Sequence, residues 1–247
     1  MSIPKELIAS AQRGDPKAQY ELGLIHMNGD GVPQSYEEAA KWIWLSAEGG
    51  YSNAQHVLGK GFLHGLGVPL NEEEALRWFR LAAAQGNMNS QCTLGMFYMK
   101  GIGVPQNQEE AFRLFELAAV QGQIFAQHIL GKMYMKGIGV TQSDEGAAKW
   151  YTLAAEQGYM NAQHTLGMMY MKGIGVTQSD EEAVKWYTLA AEKGHMYAQL
   201  ILGQMYQKGR GVPQSNKEAA KWYDLAAKQG NEYAKETLRR LIDPKDD

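Results

Sequence analysis

The chain has 247 residues, is 45% hydrophobic and is close to neutral, with 24 basic residues against 27 acidic ones and a formal net charge of −3. That balance excludes a general basic excess for holding nucleic acid, and no stretch reaches the ~18 to 20 apolar residues that a membrane helix needs. The single cysteine, Cys92, excludes an internal disulfide, so the fold requires no oxidising compartment.

The first expected element runs from Lys5 to Arg13 and ends at Gly14. It aligns with the second half of the helices that come later, so residues 1–14 read as an N-terminal capping half-repeat. The N-terminus, Met-Ser-Ile-Pro-Lys-Glu-Leu-Ile, lacks a long apolar core followed by a cleavage site, and no signal peptide is visible. A cytoplasmic location is slightly favoured on that basis over a secreted or periplasmic one.

From there the sequence repeats. Leu22-Gly23, Leu58-Gly59, Leu94-Gly95, Leu130-Gly131, Leu166-Gly167 and Leu202-Gly203 follow one another at a constant 36 residues, without insertion or deletion. A fixed period of this size means a solenoid, in which each unit is too small to bury its own apolar face and stacks on its neighbours. Residues 15–230 are six such repeats and residues 231–247 a C-terminal capping helix and tail, the whole forming one all-α domain.

Each repeat predicts two helices. Helix A, taken in the fifth repeat, spans about Asn161 to Met171, with Ala162, Leu166 and Tyr170 four apart on one face. The glycine after its leucine lies inside the helix, where it costs about 1 kcal/mol. Its return in every repeat predicts a close contact beneath a tryptophan or other aromatic residue of a neighbouring helix B. Arg239 stands where the next such glycine is due, so the stack is expected to end there. A Gly-x-Gly-Val loop follows helix A, as at Gly173/Gly175-Val176. A phosphate cradle would need Gly-x-x-x-x-Gly-Lys-Ser/Thr after a strand, and neither is present. A turn with positive φ, plugged by the valine, accounts for the pattern.

Helix B begins at a capping box, Ser35/Glu38, repeated as Asn71/Glu74, Asn107/Glu110, Ser179/Glu182 and Ser215/Glu218. Only Ser143/Gly146 breaks it, at roughly 1 kcal/mol to that helix. Ala147, Trp150, Tyr151, Ala154 and Ala155 recur at helical spacing, and Gly50, Gly86, Gly122, Gly158, Gly194 and Gly230 supply the stops. Trp44 departs from Arg80, Glu116, Thr152, Thr188 and Asp224 at the same position. Cover by the N-terminal half-repeat is the expected reason, with an exposed partner anchor as the alternative. The last element, Asn231 to Ile242, is a lone helix A carrying Lys235, Glu236, Arg239 and Arg240, as a polar cap would. Met133–Gly158 and Met169–Gly194 are near duplicates, differing only at Gly146/Glu182, Ala148/Val184 and Gln157/Lys193.

Ala162-Gln163, Leu166-Gly167, Tyr170, Gly173, Gly175-Val176, Ala183, Trp186-Tyr187, Ala190-Ala191 and Gly194 together resemble the Sel1-like repeat over nearly the whole chain. The resemblance implies a right-handed α/α superhelical solenoid related to tetratricopeptide arrays, with helix A lining the concave side. It also implies non-enzymatic scaffold or adaptor work in protein complexes, often in bacteria. Some bacterial members carry a disulfide in each repeat, and this chain departs from them.

Helix A positions off the packing stripe form rows from repeat to repeat. Asn53, Asn89 and Asn161 make an amide row, His56, His128 and His164 with Cys92 a second, and Lys60, Met96, Lys132 and Met168 a third. Met99, Met135 and Met171 form a fourth, and His64, Lys100, Lys136, Lys172 and Lys208 a basic rail. Methionine adapts to ligands of varied shape and lysine favours carboxylates. These rows are the expected platform for a protein or peptide segment, with an acidic or C-terminal one suiting the lysines. The plainer account is that the lysines solvate helix ends and complement the dipole while the methionines fill an inner wall. No cofactor, catalytic residue or resident metal is expected, and the chain is expected to be a monomer.

Two alternatives compete. One is a metal- or small-molecule-binding enzyme using His56, Cys92, His128 and His164, against which stands the ~8 to 10 Å spacing of packed helices, too wide for a tetrahedral set along a line. The other is a secreted bacterial factor that binds a host protein.

Overall fold

The structure is a computed structural model and describes residues 3–242. The expected tail beyond Ile242 therefore lies outside the described residues. Among them are fourteen α-helices and no strand. The half-repeat is α1 (Lys5–Gln12). Helices A are α2 (Pro16–Asn28), α4 (Ser52–His64), α6 (Met88–Lys100), α8 (Ile124–Lys136), α10 (Met160–Lys172) and α12 (Met196–Lys208). Helices B are α3 (Tyr36–Glu48), α5 (Glu72–Ala84), α7 (Gln108–Val120), α9 (Asp144–Glu156), α11 (Asp180–Glu192) and α13 (Asn216–Lys228), and α14 (Glu232–Ile242) closes the series. This is the all-α solenoid fold of paired helices that the period implies. The chain divides into two compact units, residues 1–123 and 124–247. Within each, a helix A packs on the helix B that follows it, and that helix B on the next helix A.

The mid-helix glycine has the role expected of it. A Cβ on Gly59 would lie 2.8 Å from the Phe79 ring, and one on Gly167 would lie 3.0 Å from Tyr187. Phe115, Tyr151 and Tyr223 cover Gly95, Gly131 and Gly203 in the same way, and Ile43 covers Gly23. The covering residue is the one after the tryptophan position, on helix B of the same repeat. Phe79, Phe115, Tyr187 and Tyr223 are fully buried, and burial of such a ring contributes roughly 1.5–3 kcal/mol. That exceeds the ~1 kcal/mol the glycine costs its helix.

In the loops both glycines take positive φ, as at Gly173 and Gly175. Gly175 is the more constrained, because a Cβ there would lie 2.1 Å from the Asp144 carbonyl oxygen in the preceding repeat. Helix B starts are capped as expected on one side only. Ser35 Oγ accepts from the Glu38 amide, and Asn107 Oδ1 from the Glu110 amide. The glutamate does not complete the box. Glu38 pairs with Lys41, Glu74 with Arg77, Glu110 with Arg113, Glu182 with Lys185 and Glu218 with Lys221, each three residues on. The N-cap amides are already used, since those of Ser35, Asn71, Asn107, Ser179 and Ser215 each donate to a helix A carbonyl nine residues earlier, and the carboxylate takes its i,i+3 partner.

A glutamine device that ties helix A to the helices B on both sides of it was not expected. Gln55, Gln91 and Gln199 are buried on helix A, and each donates its amide to a carbonyl eight residues earlier. Their Oε1 atoms accept from Gln85, Gln121 and Gln229 at 2.7–2.8 Å, and Gln157 donates to Gln127 at 2.7 Å. In the fifth repeat Lys193 stands where the donor should be. It reaches the Gly158 carbonyl at 2.5 Å instead, and Gln163 Oε1 is left buried without a partner.

Trp44 corrects one expectation. It is covered by the next repeat, meeting Phe62 at 5.6 Å and Trp78 at 6.1 Å, while its indole donates to Glu48 at 2.8 Å. The tryptophan on the half-repeat side is Trp42, which packs with Leu7, Ala11 and Leu22. The residue before the aromatic seat faces the preceding helix B, and Trp44 lies two further on, towards the following one.

Candidate partner-binding surface

Helix A buries its alanine, glutamine, leucine and glycine stripe, so the residues three, seven and ten or eleven positions after its asparagine face outward. In the first unit, Asn53, Lys60, His64, Asn89 and Lys100 are exposed and His56, Met96 and Met99 half-buried. In the second, Lys132, Lys136, Asn161, Lys172 and Lys208 are exposed and His128, Met135, His164, Met168 and Met171 half-buried. Met135, Met168 and Met171 rest on the core with part of each side chain showing.

Cations are paired more often on helix B than on helix A, although Arg80, Lys149 and Lys217 of helix B also form no ion pair among the described residues. The basic residues of helix B at 41, 77, 113, 185 and 221 are each neutralised by a glutamate. The lysines of helix A at 60, 100, 132, 136, 172 and 208 form no ion pair among the described residues. Lys100, Lys136, Lys172 and Lys208 are the last residues of their helices, where a cation also complements the dipole. Both units therefore present uncompensated positive charge on helix A, beside half-buried methionines.

The amide row is less uniform. Asn53 Oδ1 accepts from Asn87 at 2.8 Å and its Nδ2 donates to Tyr51 Oη at 3.3 Å, so this amide is engaged within the fold. The side chains of Asn89 and Asn161 stand exposed.

The histidines are wedges between aromatic rings. His56 lies against Phe79 at 5.5 Å, with its Nδ1 2.8 Å from Ser90 Oγ. His128 sits between Tyr151 at 5.4 Å and Tyr159 at 5.0 Å. His164 stacks on His195 at 4.3 Å. Burial pushes each of His56, His128 and His164 down to about 4, with Lys60, Lys132 and His195 respectively adding to the effect. They are neutral at pH 7, so positive charge on this face comes from lysine.

Cys92 is buried, and desolvation pushes its thiol up to about 12, far from a reactive thiolate. Among the described residues no three His, Cys, Asp or Glu side chains come together as a metal site would need. Nor is any helix among them long and apolar enough to cross a membrane.

Helix B carries a row that sequence reasoning passed over. Leu45, Leu81, Leu117, Leu153 and Leu225 are 39–47% exposed. Their identity at an outward-facing position in each repeat was the available signal.

A family model described as Sel1 repeat matches residues 16–51, 52–87, 89–123, 124–159, 161–195 and 197–231. Among solved structures, the chain is similar to c5321, a protective antigen present in uropathogenic Escherichia coli strains that displays an SLR fold. The identity is 36% and the TM-score 0.91, over 96% of this chain and 51% of that one, so this chain spans about half the length of that protein. It is also similar to a Sel1 repeat protein from Oxalobacter formigenes, with 33% identity and a TM-score of 0.79, over 88% of this chain and 89% of that one. No curated protein shows significant similarity. The six matches on the six observed helix pairs, with these two likenesses, place the chain in the Sel1 repeat family.

Proposed function

We propose that the chain is a non-enzymatic interaction scaffold whose helix A face receives an acidic or C-terminal segment of a partner protein. Sel1 repeat proteins commonly mediate protein interactions, which supports the general reading. The observation that carries the specific one is the contrast in charge pairing. On helix B six cations, at 41, 77, 113, 185, 221 and 228, are paired with a carboxylate and three, Arg80, Lys149 and Lys217, are not, whereas on helix A none of Lys60 and Lys100 in the first unit or Lys132, Lys136, Lys172 and Lys208 in the second is paired among the described residues. Carboxylates of a ligand would meet lysines that need break no existing ion pair, and the methionines beside them adapt to its side chains. His56, His128 and His164, neutral and packed on aromatic rings, would form the apolar floor of the same surface. A panel of acidic and C-terminal peptides titrated by calorimetry tests the reading. Binding that weakens with added salt and with lysine-to-glutamate changes supports it, and binding indifferent to both contradicts it.

A further inference from the structure

The third repeat departs from the other five at one core position. Helix B carries Trp42, Trp78, Trp150, Trp186 and Trp222, but Leu114 in α7. Where the indole is present its seat is well defined. Trp78 is 4% exposed, meets Trp44 edge-on at 6.1 Å, shares a core with Phe62 and lies under the Arg77 guanidinium at 5.0 Å.

Thirty-six residues on, the same walls are Arg80, Tyr98 and Arg113. Between them is an open cleft of about 530 Å³ where the neighbouring repeat holds an indole. Leu114 and Leu117 line its apolar side. Ala84 lines the cleft at the position where three other repeats carry Glu48, Glu156 and Glu192. All of these residues belong to the first unit, in α5, α6 and α7. The volume falls within the ~300–1,000 Å³ typical of ligand sites.

Charge at the rim is asymmetric. Arg113 is held by both oxygens of Glu110, at 2.8 and 2.6 Å. Arg80 is exposed and forms no ion pair among the described residues. A guanidinium without an ion-pair partner beside an apolar cleft at the place where the neighbouring repeat seats an indole favours a ligand that has both a ring and a carboxylate.

We propose that this cleft binds the C-terminal residue of a partner polypeptide ending in tryptophan or another aromatic residue. The ring enters the slot over Leu114 and against Tyr98, and the terminal carboxylate pairs with Arg80. The site is separate from the helix A surface and does not rest on it.

Calorimetric titration with N-acetyl-tryptophan and with a heptapeptide ending in tryptophan tests the assignment. Both should bind saturably, the peptide at least as tightly as the single residue. N-acetyl-tryptophanamide, without the carboxylate, and N-acetylglycine, without the ring, should each bind at least tenfold more weakly. Leu114→Trp should abolish binding while keeping or raising Tm, since five repeats already hold that residue. If it lowers Tm, Ala84→Glu closes the mouth with a residue that three other repeats carry. Arg80→Glu should weaken binding at least tenfold, whereas Lys60→Glu with Lys100→Glu should leave it unchanged, so that this site and the helix A surface fail separately. Absence of saturable binding by the native chain, or binding that survives both Leu114→Trp and Ala84→Glu, would overturn the proposal. A peptide weaker than the isolated residue would overturn its assignment to a polypeptide end.

Discussion

Lys193→Gln should stabilise the protein, although it removes a hydrogen bond that the structure contains. Gln163 Oε1 is buried with no partner, and the glutamine that satisfies the equivalent atom elsewhere sits 30 residues on, as in Gln85–Gln55 and Gln229–Gln199 at 2.7 Å. An unsatisfied buried acceptor costs about 1–3 kcal/mol. The bond that would be lost, from exposed Lys193 to the Gly158 carbonyl, is a surface contact worth under ~1 kcal/mol. The net gain is about 1 kcal/mol, or about 2–4 °C in Tm for a chain of this length. Thermal melts and urea midpoints of the single variants and of Lys193→Gln combined with Gln163→Ala form a double-mutant cycle. The gain should vanish when Gln163 is absent. A gain of equal size in the Gln163→Ala background, or no gain at all, would refute the argument that the orphaned oxygen is the cause.

Gly167→Ala should cost about 1–2 kcal/mol, against the usual helical preference for alanine, because its Cβ would sit 3.0 Å from the buried Tyr187 ring; calorimetric unfolding reads the sign. Gly175→Ala should cost at least about 2 kcal/mol more than Gly103→Ala. Both have positive φ, but only the former drives a Cβ to within 2.1 Å of backbone, at the Asp144 carbonyl oxygen, while the latter meets nothing within 4 Å. Stability should fall with acidification between about 6.5 and about 4. His56, His128 and His164 have folded values of about 4 against an unfolded 6.5, so below 6.5 the unfolded chain binds more protons. Replacing all three with glutamine should flatten urea midpoints across that window, and an unchanged slope would contradict the assignment.

The repeat made much of this fold legible. A leucine-glycine pair every 36 residues fixes helix A, the positive-φ loop glycines fix its end, and an aromatic residue on helix B answers the mid-helix glycine. What escaped depends on register between helices. Gln85 and Gln55 pair across 30 residues only because successive helices stack in one particular offset, which periodicity alone does not supply. Glu38 matched a capping box by spacing, yet the Ser35 amide donates to the His26 carbonyl and the Glu38 carboxylate pairs with Lys41. Trp44 and Trp42 are two residues apart and face opposite neighbours, and the half-repeat covers Trp42 while the next repeat covers Trp44. For the candidate surface, sequence named residues that the structure leaves exposed or half-buried. It did not show that Asn53 is engaged by Asn87, that the histidines are wedged and neutral, or that the helix A lysines form no ion pair among the described residues.

The most direct measurement is the affinity of one acidic C-terminal peptide for the native chain and for two charge reversals, Lys60→Glu with Lys100→Glu in the first unit and Lys136→Glu with Lys172→Glu in the second. The account predicts that at least one reversal weakens binding tenfold or more, with circular dichroism and Tm unchanged and the native affinity falling as salt rises. Equal affinity for all three proteins across the salt range would contradict it.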